Sequence, residues 1–240
     1  MILCLDAGNS RLKFGLHDGS GWRAQGAMGY QAFDDLVADL PERPTRIVAC
    51  NVAGTAIRQR IDALGDTLGL PLDWLTSTAA ACGVSNGYDT PAQLGADRWA
   101  ALIAARALHA GPSIVVTAGT ATTIDALGGD GLFRGGLILP GLSLMRAALA
   151  HGTADLPEAA GRYRPQPTNT DDAIVSGAIH ATIGAVERLR ATLDSNALCL
   201  LSGGAAGELA PHMNPPWRPI DNLVLEGLAR YGQSRLATRR

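Results

Sequence analysis

Asp6, Gly8, Asn9, Ser10 and Lys13 lie within one short stretch near the head of the chain, MILCLDAGNSRLKFG. An apolar run, Ile2–Leu5, leads into the carboxylate. A small-residue turn, Ala7-Gly8-Asn9-Ser10, comes next, and a second extended run, Leu12–Leu16, follows it. Glycine lets backbone N–H groups approach an anion, and a nest of such groups is a ready phosphate site. Asn9 and Ser10 add side-chain donors, and Lys13 is close enough to reach a terminal phosphate. Asp6, at the strand end, suits a phosphate-bound Mg²⁺, held directly or through water. An ordinary hairpin turn accounts for the same residues, so the stretch alone leaves both readings open.

A second stretch repeats the pattern 111 positions later. Leu5-Asp6-Ala7-Gly8-Asn9-Ser10 falls on Val116-Thr117-Ala118-Gly119-Thr120-Ala121, and Gly15-Leu16 falls on Ala126-Leu127. Each copy is an apolar strand, a small-residue corner and a returning strand, closed by a glycine turn at Asp18-Gly19 or Gly128-Gly129. The repeat suggests a duplicated domain, each half opening with a β-hairpin. Two such turns facing across a cleft would hold a polyphosphate, with Thr120 and Thr122 as further donors.

A third candidate is Gly95-Ala96-Asp97-Arg98-Trp99. A carboxylate and a guanidinium stand side by side at an expected helix start. Arg binds a carboxylate or phosphate bidentately, and Asp accepts the proton of an attacking hydroxyl. A first-turn Asp facing the helix dipole beside a surface Arg is the plainer alternative. The common nucleotide signatures are missing: there is no GxxxxGK[ST], and no GxGxxG follows a strand. HExxH and Cys/His zinc spacings are missing too.

The elements that must position these residues follow from periodicity and punctuation. Strands are expected at Ile2–Leu5, Leu12–Leu16, Arg46–Asn51, Leu72–Leu75, Ser113–Val116, Thr122–Leu127 and Ala197–Ser202. Helices are expected at Ala32–Leu40, Ala56–Leu68, Asp97–His109, Leu142–Leu149, from Thr170 onward, and at Leu223–Leu236. Thr170 reads as a helix cap, with Asp171 and Asp172 in the first turn. Cys82–Pro91 and Pro157–Asn169 read as loops, and Asn86-Gly87 is a turn signal. Thr90-Pro91-Ala92-Gln93 has the form of a capping box, and Gly95 argues against a helix continuous from Pro91.

Composition limits the alternatives. The 240 residues are 47% hydrophobic, include 29 glycines and carry a net charge of -2. That suits one large or two small globular domains, with no basic field for nucleic acid or anionic lipid. The tail Arg235–Arg240 reads as a solvated terminus. The four cysteines, Cys4, Cys50, Cys82 and Cys199, form no CxxC pair, which fits a reduced, cytoplasmic protein. No run reaches the ~18 apolar residues of a membrane helix, and the N-terminus does not have the form of a signal peptide.

Taken in order, Asp6-Ala7-Gly8-Asn9-Ser10, Asn86-Gly87-Tyr88, Gly95-Ala96-Asp97-Arg98, Gly119-Thr120-Ala121-Thr122-Thr123 and Ser202-Gly203-Gly204-Ala205 resemble the type III pantothenate kinases. The likeness includes the related Bvg accessory factor subset and spans nearly the whole chain. It implies an α/β fold of two RNase H-like domains of the actin, sugar-kinase and heat-shock ATPase type, related by duplication around a cleft. The domains would be residues 1–112 and 113–240, each with one phosphate-binding hairpin.

The implied reaction is ATP-dependent phosphorylation of pantothenate to 4′-phosphopantothenate, the first step of coenzyme A synthesis. By the same resemblance, Asp6, Ala7, Gly8, Asn9, Ser10, Arg11, Leu12, Lys13 and Thr120 would bind ATP, with Asp6 facing Mg²⁺. Asp97 would be the proton acceptor. Tyr88, Gly95, Ala96, Asp97, Arg98 and Thr170 would contact pantothenate. A homodimer is implied as well.

Many members bind an activating K⁺ or NH₄⁺ through an Asp that is Thr117 here. A neutral hydroxyl is a weaker cation ligand than a carboxylate. A regulatory, non-catalytic member of the fold, or a kinase for another small alcohol, remain alternatives at the level of sequence.

Overall fold

A computed structural model describes residues 1–38, 40–154, 156 and 160–237, with the side chain of residue 237 excepted. Part of the loop expected at Pro157–Asn169, and the end of the Arg-rich tail, lie outside these residues. By its internal contacts the chain divides into two units. One comprises residues 1–110, 131–133 and the segment from Asn222 onward; the other comprises Gly111–Asp130 and Arg134–Asp221.

The first unit is built on β1 (Ile2–Ala7), β2 (Leu12–His17), β3 (Trp22–Met28), β4 (Arg46–Asn51), α1 (Thr55–Leu68) and β5 (Leu72–Trp74). The sheet order is β3-β2-β1-β4-β5, antiparallel from β3 to β1 and parallel from β1 to β5. β1 is central and buried at all six positions. That is why it reads as an unbroken apolar run, with Asp6 as the polar exception. Leu3, Leu5, Leu12 and Leu16 pack with Phe33, Leu36, Ile47 and Ile61 to form the core.

Strand β3 was not expected from the sequence. Its WRAQGAM is half-buried and alternating, with small residues in place of β-branched ones. Gly26 makes room for the ring of Phe14, as Gly15 of β2 makes room for that of Trp22. The helix expected at Ala32–Leu40 is instead a 3₁₀ segment, Tyr30–Asp35, that buries Phe33. The expected loop Cys82–Pro91 contains strand structure: β6 (Ala80–Ala81) and β7 (Val84–Asn86) form a hairpin turned by Cys82 and Gly83 at positive φ. After the 3₁₀ segment Pro91–Gln93, α2 (Ala96–Leu108) follows with Gly95 at its N-cap, so the helix is not continuous from Pro91. Thr90 makes no side-chain capping bond.

The second unit carries β8 (Ser113–Ala118), β9 (Ala121–Leu127), most of β10 (Leu132–Pro140), α3 (Leu142–Gly152), α4 (Thr170–Leu193), β11 (Leu198–Ser202), α5 (Ala206–Leu209) and β12 (Trp217–Pro219). Its strands run in the order β12-β11-β8-β9-β10. β8 is antiparallel to β9 and parallel to β11. The first unit has the same arrangement, and β8 begins 111 residues after β1 (113 against 2), the offset read from the sequence. β10 and β12 were not expected. The first two residues of β10, Leu132 and Phe133, belong to the first unit and pair with Ser85 and Asn86 of β7.

The cap of α4 is a correction. Asn169, not Thr170, accepts from the Asp172 N–H, at 2.9 Å, and Thr170 is the first helical residue. The chain closes with α6 (Leu223–Ala237), which returns to the first unit and lies against α2. A Cβ at Gly227 would collide with the Ala100 carbonyl, so glycine sets how closely these helices pack. Among the described residues no helix is long and apolar enough to cross a membrane. All four cysteines are free thiols; Cys4, Cys50 and Cys199 are buried and Cys82 is exposed.

Candidate functional site

Strand register builds the first part of the site. Asp6 of β1 pairs with Lys13 of β2 on one side and with Cys50 of β4 on the other. Laterally paired residues project from the same face of a sheet, so the carboxylate stands between an ammonium and a thiol. Lys13 Nζ lies 3.6 Å from Oδ2, and Cys50 Sγ lies 3.6 Å from Oδ1. Asp6 is only 4% exposed. Burial raises its pKa above the usual carboxylate range; Lys13 opposes that shift, and the negative charge of Asp97 adds to it. Two carboxylates of the first unit therefore feel one another.

The turn after Asp6 closes with the Gly8 N–H donating to the Arg11 carbonyl at 3.3 Å. The Tyr30 hydroxyl donates to the Gly8 carbonyl. Asn9, Ser10 and Arg11 are exposed. Ala7 and Leu12 are wholly buried. Their side chains belong to the core and anchor the turn at both ends.

Asp97 and Arg98 stand in the first turn of α2. A side chain at Gly95 would strike the Asp97 carboxylate, which accepts from the Arg98 N–H at 2.8 Å. Arg98 is buried, and its guanidinium donates to the Tyr88 hydroxyl at 2.8 Å. It lies 5.6 Å from the Tyr88 ring and 5.8 Å from that of Phe133. The Asn86-Gly87-Tyr88 corner is fixed by the Asn86 side chain, which donates to the Pro91 carbonyl and accepts from the Tyr88 N–H, each at 3.1 Å. Gly87 is required because a Cβ there would overlap the Phe133 carbonyl. Asn-Gly-Tyr and Gly-Ala-Asp-Arg are thus joined by the Tyr88–Arg98 bond.

In the second unit, Gly119, Thr120 and Ala121 form an exposed turn, with the Gly119 N–H donating to the Ala121 carbonyl at 3.0 Å. Gly141 donates to the Thr120 carbonyl at 2.9 Å, and Ala205 to that of Ala118 at 3.0 Å. Thr122 differs from the expectation of a further donor: it is fully buried, and its hydroxyl has no partner. Thr117 is half-buried, with Thr123 opposite it on β9 and Ser202 on β11. Thr170 is exposed.

Cys50, Tyr30 and Phe133 went unread as site residues. Each is placed by strand pairing or loop packing, and none lies in a local motif.

Among the described residues no group of three or more His, Cys, Asp or Glu could cage a metal. Mg²⁺ does not need one: it keeps its waters and binds through one or two carboxylates plus substrate phosphates. The hard oxygens of Asp6 and Asp97 fit that demand.

Residues 2–192 match the family model described as type III pantothenate kinase. A type III pantothenate kinase of Aromatoleum aromaticum is 51% identical over 234 residues, covering 95% of this chain and 96% of its own. One from Dechloromonas aromatica is 48% identical over 232 residues, covering 95% and 97%.

Among solved structures, a Campylobacter jejuni protein described as a Baf-family transcriptional activator superposes with a TM-score of 0.67 at 21% identity, covering 98% of this chain and 99% of its own. MreB 5 of Spiroplasma citri superposes at 0.53 with 9% identity, covering 99% and 97%. These two distant likenesses speak to the fold, that of the actin, sugar-kinase and heat-shock ATPases. The sequence matches are close and span almost the full length, and the chain belongs to the type III pantothenate kinase family.

Proposed function

We propose that this chain transfers the γ-phosphate of ATP to the primary hydroxyl of pantothenate, giving 4′-phosphopantothenate for coenzyme A synthesis. The observation that carries the reading is that one unit holds both Asp6, on the phosphate-type turn, and Asp97, in the Gly-Ala-Asp-Arg helix start, with the negative charge of Asp97 acting on Asp6. A phosphoryl donor and its acceptor alcohol must meet in this way, in line and shielded from water.

The residues divide the work. The turn from Gly8 to Arg11, with the Lys13 ammonium, binds the nucleotide phosphates. Thr120 is proposed as a further ATP contact. Asp6 would hold Mg²⁺, which would supply positive charge to offset that of the phosphate oxygens. Arg98, set by Tyr88, binds the carboxylate end of pantothenate, and Gly95 and Ala96 leave room beside Asp97. Thr170 supplies a further hydroxyl contact. Asp97 orients the attacking hydroxyl and takes its proton late, because that alcohol has a pKa far above neutrality.

Thr117 is a neutral hydroxyl where a carboxylate would hold K⁺ or NH₄⁺, and we read the chain as turning over without an obligatory monovalent cation. The exposed Leu137, Ile138, Leu144 and Leu149 of β10 and α3 support a homodimer. The 111-residue offset supports two duplicated domains, the second opening near residue 113. Four free thiols suit a reducing cytoplasm.

The test is ADP release by purified protein with ATP, Mg²⁺ and pantothenate, in sodium and then in potassium or ammonium buffer. Pantothenate-dependent turnover is expected in every buffer. Asp97→Asn should keep ATP binding and lose about 10²- to 10⁴-fold in turnover. Folded protein with no pantothenate-dependent release would overturn the activity. Wild-type turnover in the variant would overturn the role of Asp97.

A further inference from the structure

We propose that Tyr30 is a positioning residue for the nucleotide, fixing the direction of the backbone donors in the turn from Gly8 to Arg11. The proposal rests on the assignment of that turn to the phosphates of ATP.

Tyr30 opens the 3₁₀ segment after β3, in no motif and far in sequence from the turn. Its hydroxyl nevertheless donates to the Gly8 carbonyl and lies 3.4 Å from the Arg11 carbonyl oxygen. These are the two carbonyls that bound the turn. In a trans peptide the C=O and the following N–H point in opposite directions. Holding the Gly8 carbonyl on the phenol therefore turns the Asn9 N–H to the side away from Tyr30. A nest binds an anion only if its N–H groups face the ligand and its carbonyls do not. A carbonyl free to swing toward a polyphosphate would repel it, and ordering the turn at the moment of binding would cost affinity.

The phenol is suited to this task. Burial, followed by the charge of Asp6, pushes its pKa up to about 12, so it remains a donor throughout the working range. Tyr30 is itself braced from α1. The Arg60 guanidinium donates to the Tyr30 carbonyl at 2.7 Å and pairs with Asp34 at 3.0 Å. It also lies 4.7 Å from the ring of Phe33, which is buried in the core. The turn is thus tied through Tyr30 and Arg60 to a helix that has no chemistry of its own. Packing alone would account for the Tyr30 ring. It does not account for a hydroxyl shared between the two carbonyls of a ligand-binding turn.

The experiment is steady-state kinetics on Tyr30→Phe, Arg60→Met and Lys13→Met, with ATP and pantothenate varied separately. Tyr30→Phe keeps the ring and loses one hydrogen bond, so KM for ATP should rise roughly three- to tenfold. Its kcat and its KM for pantothenate should stay near wild type. Arg60→Met should shift KM for ATP in the same direction by less. An unchanged KM for ATP in Tyr30→Phe, or a fall in kcat alone, overturns the proposal, since lost packing reduces active enzyme without that split. Should Tyr30→Phe fail to fold, Arg60→Met decides: the same split supports the proposal and an unaltered KM overturns it. Lys13→Met separates the two assumptions. A raised KM for ATP there with none in Tyr30→Phe keeps the turn and discards Tyr30; no effect in either discards both.

Discussion

Asp6 shows how one position is asked to do two opposed things. Its place in a fully buried strand raises its pKa, while a role beside phosphates requires the carboxylate. Cys50 and Lys13 are the local answer, a thiol and an ammonium supplied by the neighbouring strands in register. A donor to a carboxylate favours its ionised form. Removing the thiol in Cys50→Ala should raise the Asp6 pKa further, and the acid limb of kcat/KM for ATP should move to higher pH. Cys50→Ser keeps a donor and should stay close to wild type. A pH–rate profile of the three proteins checks this, and coincident limbs would remove Cys50 from the account. The stability term has a definite sign. With its folded pKa above the unfolded one, Asp6 favours the folded state fully below the unfolded value near ~3.9, and loses that contribution as pH rises through the folded value. Asp172 runs the other way. Its bonds from Arg162 N–H and Asn169 lower its pKa, so its contribution is present at neutral pH and is lost in acid.

Within elements, glycine marks where backbones must touch. Gly203, just past β11, has φ +102, and a Cβ there would overlap the backbone of Ala118, beside the second turn. Its neighbour Gly204 has nothing within 4 Å of a Cβ. Gly203→Ala should therefore destabilise the protein by about 1–3 kcal/mol, through strain and overpacking together, whereas Gly204→Ala should be nearly silent. Chemical denaturation of the pair measures the difference, and equal midpoints would show that the second turn yields more easily than the packing suggests. Read as sequence, these adjacent glycines are indistinguishable.

At the scale of the whole molecule, the two units repeat one strand order, and their loops have diverged. The second unit leaves Leu137, Ile138, Leu144 and Leu149 exposed on β10 and α3, and Ile138 is 66% exposed. Exposed apolar side chains gathered on two successive elements suit a protein interface. If the proposed homodimer forms through this face, Ile138→Glu should lower the apparent mass in analytical ultracentrifugation toward that of the monomer. An unchanged mass would remove this face from the proposal.

The sequence alone determined the hairpin turns, their 111-residue repeat, the break at Gly95 ahead of α2 and the free cysteines. Each depends on neighbours in the chain: a glycine corner, a strand's apolar run, a helix's first turn. It also carried the family, because the motifs recur in order. It did not reveal β3, β6, β7, β10 or β12: β6, β7 and β12 are very short, β3 is rich in small residues, and Gly135-Gly136 interrupts β10. It placed the α4 cap one residue late, since Asn169 and Thr170 both suit a cap and the bond to Asp172 N–H decides between them. Tertiary structure decided that Cys50 borders Asp6, that Tyr30 holds the Gly8 carbonyl and that Thr122 is buried. Strand register and side-chain reach set those contacts, and both bring together residues that lie tens of positions apart in the chain.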